Sequence, residues 1–408
     1  MSATEIDLAD VLREGDLILV ATGAGEPVGL LEQLVRRRHE LPRVRLLLNF
    51  RLTEVLRPEH LDAIDVTVLG AYGTNGPLVA AGADVLPVNN SDLPDLVEYG
   101  PIRPDVVLAV SAPPGEDGSY DLGVTADVAP IGCRVARAVV LEVNPNVPRT
   151  GGAARIPAEL VTATSASDRP LPVLPAAEPG PVETAIAERV AALVPDGATL
   201  QLGIGKVPEA VAHALRGHRD LGIHSGLIGD WLIDLVEAGA VTNARKPIDV
   251  GVSVAGVVMG GPRLYAWVHE NPAVAMRDMR STHAPEVLAR LDNLVTINSA
   301  IEVDLSGQVN AEVVGERYIG AVGGQVDYVR AGSRARHGRS ILAMPATTSR
   351  GASRIVDRLP QGVVTTGRSD VDLIVTEYGV ADLRGRTLAE RRRRLAAIAA
   401  PEHRERWA

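Results

Sequence analysis

Residues 202–230 read LGIGKVPEAVAHALRGHRDLGIHSGLIGD and bring together residue types that could hold and turn over a small molecule. An apolar run, Thr199 to Leu202, meets a tight Gly203-x-Gly205 turn, and such turns bring backbone N–H groups close to a ligand. A second apolar run ends in His224-Ser225-Gly226. Histidine titrates near neutrality and can serve as a general base. A lone histidine at a strand end is equally at home as a satisfied core residue, and the same holds for His283. Glu302, in the apolar run Val295 to Leu305, is a carboxylate of the kind that can act as a nucleophile. No acid lies between Leu221 and Gly229; the nearest are Asp220 and Asp230.

Other chemistries fit poorly. No His, Cys, Asp or Glu cluster has metal-ligand spacing, so no metal is expected. Ser111, Ser225 and Ser299 lack a G-x-S-x-G setting. Gly23-x-Gly25 lacks the third glycine of a dinucleotide fingerprint.

The elements that must position these residues alternate between short apolar runs and helical stretches. Leu17–Ala21, Val44–Asn49, Val66–Leu69, Val106–Val110 and Ala138–Val143 read as strands in the first half. Thr199–Leu202, Leu294–Asn298, Ile341–Met344 and Val371–Thr376 do so in the second, with Pro247–Met259 a further, mainly apolar stretch. Alternation of this kind predicts an α/β fold with mainly parallel sheets. Residues 165–181 (SASDRPLPVLPAAEPGP) carry five prolines and no apolar face, and read as a linker. The chain resembles itself across it: GDLILVATGAGEPVGLLEQL (15–34) matches DGATLQLGIGKVPEAVAHAL (196–215), with Gly23 and Gly25 over Gly203 and Gly205. Two similar open α/β domains are expected, 1–180 and 181–408, with a cleft between them as the site.

Composition narrows the partners. The 408 residues are 46% hydrophobic but 3% aromatic, so the core is built from Ala, Val, Leu and Ile. A net charge of −10 argues against nucleic acid. The single cysteine, Cys133, allows no intrachain disulfide and fits a reducing compartment. Acids interrupt the first twenty residues, and no apolar run reaches the roughly 20 residues of a membrane span. A soluble cytoplasmic protein without a membrane partner is expected. The tail helix, with Arg391–Arg394, reads as a solvated face.

NSAIEVDLSGQVNAE (298–312), GGQVDYVRAG (323–332), ILAMPAT (341–347) and VTEYGVADLRG (375–385) resemble the acetyl-CoA hydrolase/transferase family, whose relatives include 4-hydroxybutyrate and butyrate–acetate CoA-transferases (class I). VNPNVPRTGG (143–152), LGIGKVPEAV (202–211) and NPAV (271–274) fit as well. The resemblance implies two α/β domains of the CoA-transferase type and homodimers or larger homo-oligomers. It implies a coenzyme A thioester as substrate rather than a tightly bound cofactor, and a small-molecule acceptor or water as the second partner. It also implies ping-pong transfer through a glutamyl-CoA thioester, with Gly-rich turns stabilising oxyanions. On this pattern Gly203, Gly205, Gly226, Gly323, Gly324, Gln325, Arg339 and Gly379 contact the acyl-CoA.

The sequence departs from the pattern where the chemistry should lie. The family glutamate follows His-Thr about twenty residues beyond the LGIG turn; here the residues are His224-Ser225-Gly226. Relatives tend to have Tyr-Thr-Asn-Asp-Pro where Ser281-Thr282-His283-Ala284-Pro285 stands, and Phe where Tyr328 stands. They also often have Gly-Gly-Lys where His337-Gly338-Arg339 stands, so Arg339 keeps the positive charge. Three mechanisms stay open. Water could attack directly, with His283 or His224 as base. Glu302 could replace the missing carboxylate, though its motif is shared with intact relatives. Or another nucleophile, such as an amine or an alcohol, could be accepted, or a C–C bond of a CoA-linked substrate cleaved. A catalytically inactive, CoA-binding or scaffold homologue is the alternative from another class.

Overall fold

The computed structural model describes residues 6–407. The chain forms two compact units. One comprises the chain up to Pro175 together with Val254–Thr282; the other comprises Ala176–Ser253 and the chain from His283 onward. The expected boundary at 180 lies close to the first junction. The return of Val254–Thr282 to the first unit is not legible in the apolar pattern. It is held by backbone bonds, Ala126 N–H to Gly256 O at 2.7 Å and Val258 N–H to Val124 O at 2.8 Å. Arg280 adds ion pairs to Asp95 and Glu98.

The first unit is built on a seven-stranded sheet. Its order is Asp84–Val85, Ile64–Val68, Val44–Leu48, Leu17–Val20, Val106–Ser111, Ala138–Val143, Ala163–Ala166. All neighbours pair in parallel. The central strands read as unbroken apolar runs because both faces are covered, as parallel sheets require.

Within the second unit, six strands lie in the order Gly222–Ile228, Thr199–Leu202, Leu294–Ser299, Arg339–Ala343, Leu373–Thr376, Gly379–Asp382. The first five pair in parallel, and the last returns antiparallel across a Glu377-Tyr378 hairpin. In both units the strand before the Gly-x-Gly turn sits between the next strand of its own half and a later one. The internal resemblance in sequence therefore has a counterpart in strand order.

Residues 167–180 form neither helix nor strand. Helix Pro181–Ala191 follows, with Pro181 at its first turn, where a missing N–H costs nothing. The helix in the Gly- and Arg-rich stretch spans Gln325–Arg334. The tail helix, Leu388–Ala397, is not the fully solvated face its charge run predicts. Arg391 is 9% exposed. Its guanidinium donates to the carbonyls of Ser306, Arg368 and Arg386, which lets a buried cation be satisfied without a carboxylate.

Candidate active site

Parallel pairing aligns the strand C-terminal ends of the second unit on one edge of the sheet. Ligands of open α/β sheets collect at such an edge. Register places the candidate residues along it. Thr199 pairs with Gly222 and Leu202 with Ile297, which sets Gly203, Gly226 and Asn298 at one level. The Ser225 hydroxyl donates to Leu202 O at 3.1 Å, and the side-chain amides of Gln201 and Asn298 bond each other reciprocally. These bonds fix the strand ends that carry the turn.

Gly205 (φ 109) and Gly323 (φ 53) both have a left-handed backbone and open space where a Cβ would lie. Their glycine is required by backbone conformation rather than by crowding. Gly205 precedes helix Lys206–Ala214, and Gly324 precedes helix Gln325–Arg334, so each turn exposes N–H groups at a helix start.

Gly226 is a glycine for a different reason. A Cβ there would lie 2.6 Å from His283 Cε1, 2.8 Å from its Nε2 and 3.6 Å from the Tyr328 hydroxyl. The imidazole of His283 therefore fills the space into which a side chain at 226 would grow. The His283 and Tyr328 rings lie 4.9 Å apart with their planes tilted by 55°. The Gly226 backbone N–H donates to the Tyr328 hydroxyl. His224 and Gly226 share one face of their strand, because side chains alternate.

The electrostatics of this cluster are those of neutral groups. His283 is 3% exposed, and burial, with a smaller push from His224, takes its pKa down to about 3. Burial, with Asp327 adding to it, raises the Tyr328 hydroxyl well above its usual range. At working pH His283 is an uncharged imidazole and Tyr328 an uncharged phenol. The expectation of a base poised near neutral pH therefore does not hold for His283. Desolvation of the imidazolium is the reason.

The remaining candidates divide. Glu302 opens the strand Glu302–Asp304 of a separate three-stranded sheet; it is half-buried and in the electrostatic reach of Arg354, which Glu377 also approaches. Asn310 Nδ2 approaches its carboxylate at 3.5 Å. Gln325 is fully engaged: its Nε2 donates to Ser299 O at 2.7 Å, and its Oε1 accepts from the Thr366 hydroxyl at 3.0 Å. It braces the turn after Leu294–Ser299. Gly379 sits at the hairpin after Leu373–Thr376, opposite Thr376. Arg339 is not brought to the site. It is the first residue of its strand, paired with Val295, and exposed. At about 3.3 Å per residue, the three residues from Asn298 back to its Val295 partner put it some 10 Å from the level of Gly226. A charge read from a motif lies at the wrong end of the sheet.

Cys133, in the first unit, is excluded as a nucleophile by burial, which pushes its thiol up to about 12. Tyr328 is the residue whose part in the cluster the sequence reading missed. Its signal was present, as a third departure from the family pattern beside positions 226 and 283.

The N-terminal domain model of acetyl-CoA hydrolase/transferase matches residues 1–175, and the C-terminal domain model matches residues 260–408. The chain belongs to the acetyl-CoA hydrolase/transferase family. It is 37% identical over 395 residues to a 4-hydroxybutyrate coenzyme A transferase of Clostridium kluyveri, covering 95% of this chain and 92% of that one. It is 36% identical to a succinyl-CoA:cyclohexane-1-carboxylate CoA transferase of Geobacter metallireducens, over 98% of this chain and 92% of the other. The crystal structure of RipA from Yersinia pestis superposes with a TM-score of 0.93 at 32% identity, covering 98% and 94% of the two chains. The fold is that of the CoA-transferases, and the protein is an enzyme of the CoA-transferase/acetyl-CoA hydrolase kind.

Proposed function

We propose that this enzyme transfers or hydrolyses the acyl group of a CoA thioester without forming glutamyl-CoA at position 226. The observation that carries the reading is the interlock of Gly226 with His283. The family resemblance puts a glutamate at 226 and an asparagine at 283. A glutamate side chain at 226 would have to start inside the imidazole of His283. The two departures are sterically complementary, and Tyr328, the third, packs on the same pair. Three changes that fit one another favour an altered site over random decay.

The chemistry follows from what fills the space. A carboxylate nucleophile is exchanged for a neutral imidazole and a neutral phenol. An acyl-CoA carbonyl placed against this surface meets hydrogen-bonding groups and no negative charge. The acceptor, water or a small protic nucleophile, adds to the thioester carbon directly; the tetrahedral oxyanion collapses with cleavage of the C–S bond, and the proton given up by the acceptor is taken by the departing thiolate, so that CoA leaves as the thiol. Backbone N–H groups at Gly203–Gly205 and Gly323–Gly324 are suited to the oxyanion of such an addition.

The test is reconstruction. Gly226→Glu alone should not yield a covalent enzyme–CoA species, whereas Gly226→Glu with His283→Asn should, because the second change vacates the space. An adduct from the single variant, or from neither, would remove the interlock as the explanation.

A further inference from the structure

We propose that a cavity in the first unit, walled by Arg149 and Glu270, binds a small molecule carrying both an acidic group and an ammonium group. The cavity measures about 370 Å³, in the range of small-molecule sites. Two of its walls are loops leaving the C-terminal ends of the adjacent parallel strands Val106–Ser111 and Ala138–Val143. The third is 270–274. The second and third walls are the PNVPRTGG and NPAV segments, whose part in the fold the acyl site does not explain.

Backbone bonds lock two walls together. The Arg149 N–H donates to His269 Nδ1 at 3.1 Å, and Arg149 O accepts from the Glu270 N–H at 2.7 Å. This places the two side chains on neighbouring parts of the wall. Glu270 has a φ of 49°, a left-handed conformation that costs a non-glycine residue and that gathers at ligand sites.

The other polar groups of the wall are spent. Asp121 accepts the N–H groups of Gly123, Thr150 and Gly151. Arg155 donates to the Ser119 hydroxyl and pairs with Asp117. The Asn271 amide is used at both ends, by Trp267 O and Ala273 N–H. Among the described residues, the Arg149 guanidinium makes one long bond, Nη2 to Pro113 O at 3.4 Å. Arg149 and Glu270 thus both line the cavity with no ion pair between them. A ligand with opposite charges at its two ends satisfies both, the acidic end forked by Arg149.

Calorimetric titration of the full chain with γ-aminobutyrate, butyrate and inorganic phosphate tests this. γ-Aminobutyrate should bind about tenfold or more tightly than butyrate, the effect of one charge-assisted contact. Glu270→Gln, a change at an exposed side chain, should remove that preference, and Arg149→Met should weaken γ-aminobutyrate by about tenfold or more. The proposal is overturned if γ-aminobutyrate gives no heat, if Glu270→Gln keeps the preference, or if phosphate binds as tightly as γ-aminobutyrate.

Discussion

The ring of His283 stands 2.6 Å from where a side chain at Gly226 would begin, so the two positions cannot be read separately. Gly226→Ala should cost about 1–3 kcal/mol, the range for overpacking a filled core. His283→Ala should lose stability by leaving a cavity. Made together, the two should cost less than their sum, with a coupling of about 1 kcal/mol or more in a denaturant-based double-mutant cycle. Strict additivity would show that the ring yields freely.

Burial of His283 makes a pH prediction. Its pKa is about 3 when folded, below the usual value of 6.5. Between these values the unfolded chain binds the proton and the folded chain does not, so this contribution is fully present above about pH 6.5 and is lost as pH falls. The slope reaches about 1.4 kcal/mol per pH unit. The stability advantage of wild type over His283→Asn should therefore shrink from pH 7 to pH 5 in urea titrations. A constant difference would mean that the imidazole is solvated.

Much of this was legible in the sequence. The Gly203-x-Gly205 turn, the internal likeness of the halves and the parallel α/β pattern came from apolar runs and glycines, which local sterics fix. The Gly226–His283 contact joins residues far apart in the chain, so only the family pattern hinted at it. Arg339 was misplaced because a motif records charge but not the end of the strand that bears it. Arg391 was misread because a charge run looks solvated unless the carbonyls that hold it are known.

Glu302 offers a clean contrast with a nucleophile role. Its carboxylate acts on the half-buried Arg354. Glu302→Gln should lower stability by about 1–2 kcal/mol, since it leaves that cation less well compensated. Acyl-CoA turnover should persist within about tenfold, whereas removing a true covalent nucleophile costs far more. Steady-state assay of CoA release distinguishes the two outcomes.

Glu209, on helix Lys206–Ala214, behaves in the opposite sense to His283. Burial, then Asp230 and Asp234, raise its carboxyl to about 6. A raised folded pKa gives stability that is present below about pH 4.5 and is lost as pH climbs through 6. Glu209→Gln should thus be more stable than wild type at pH 8 and not at pH 4. Thermal melts at the two pH values check the sign.

The central claim concerns the intermediate. Wild-type enzyme is incubated with acetyl-CoA, treated with borohydride and digested, and its peptides are weighed by mass spectrometry. The account predicts acetyl-CoA consumption with no glutamate reduced to its alcohol and no CoA bound through a glutamyl thioester. A reduced glutamate, at Glu302 or any other position, would contradict it.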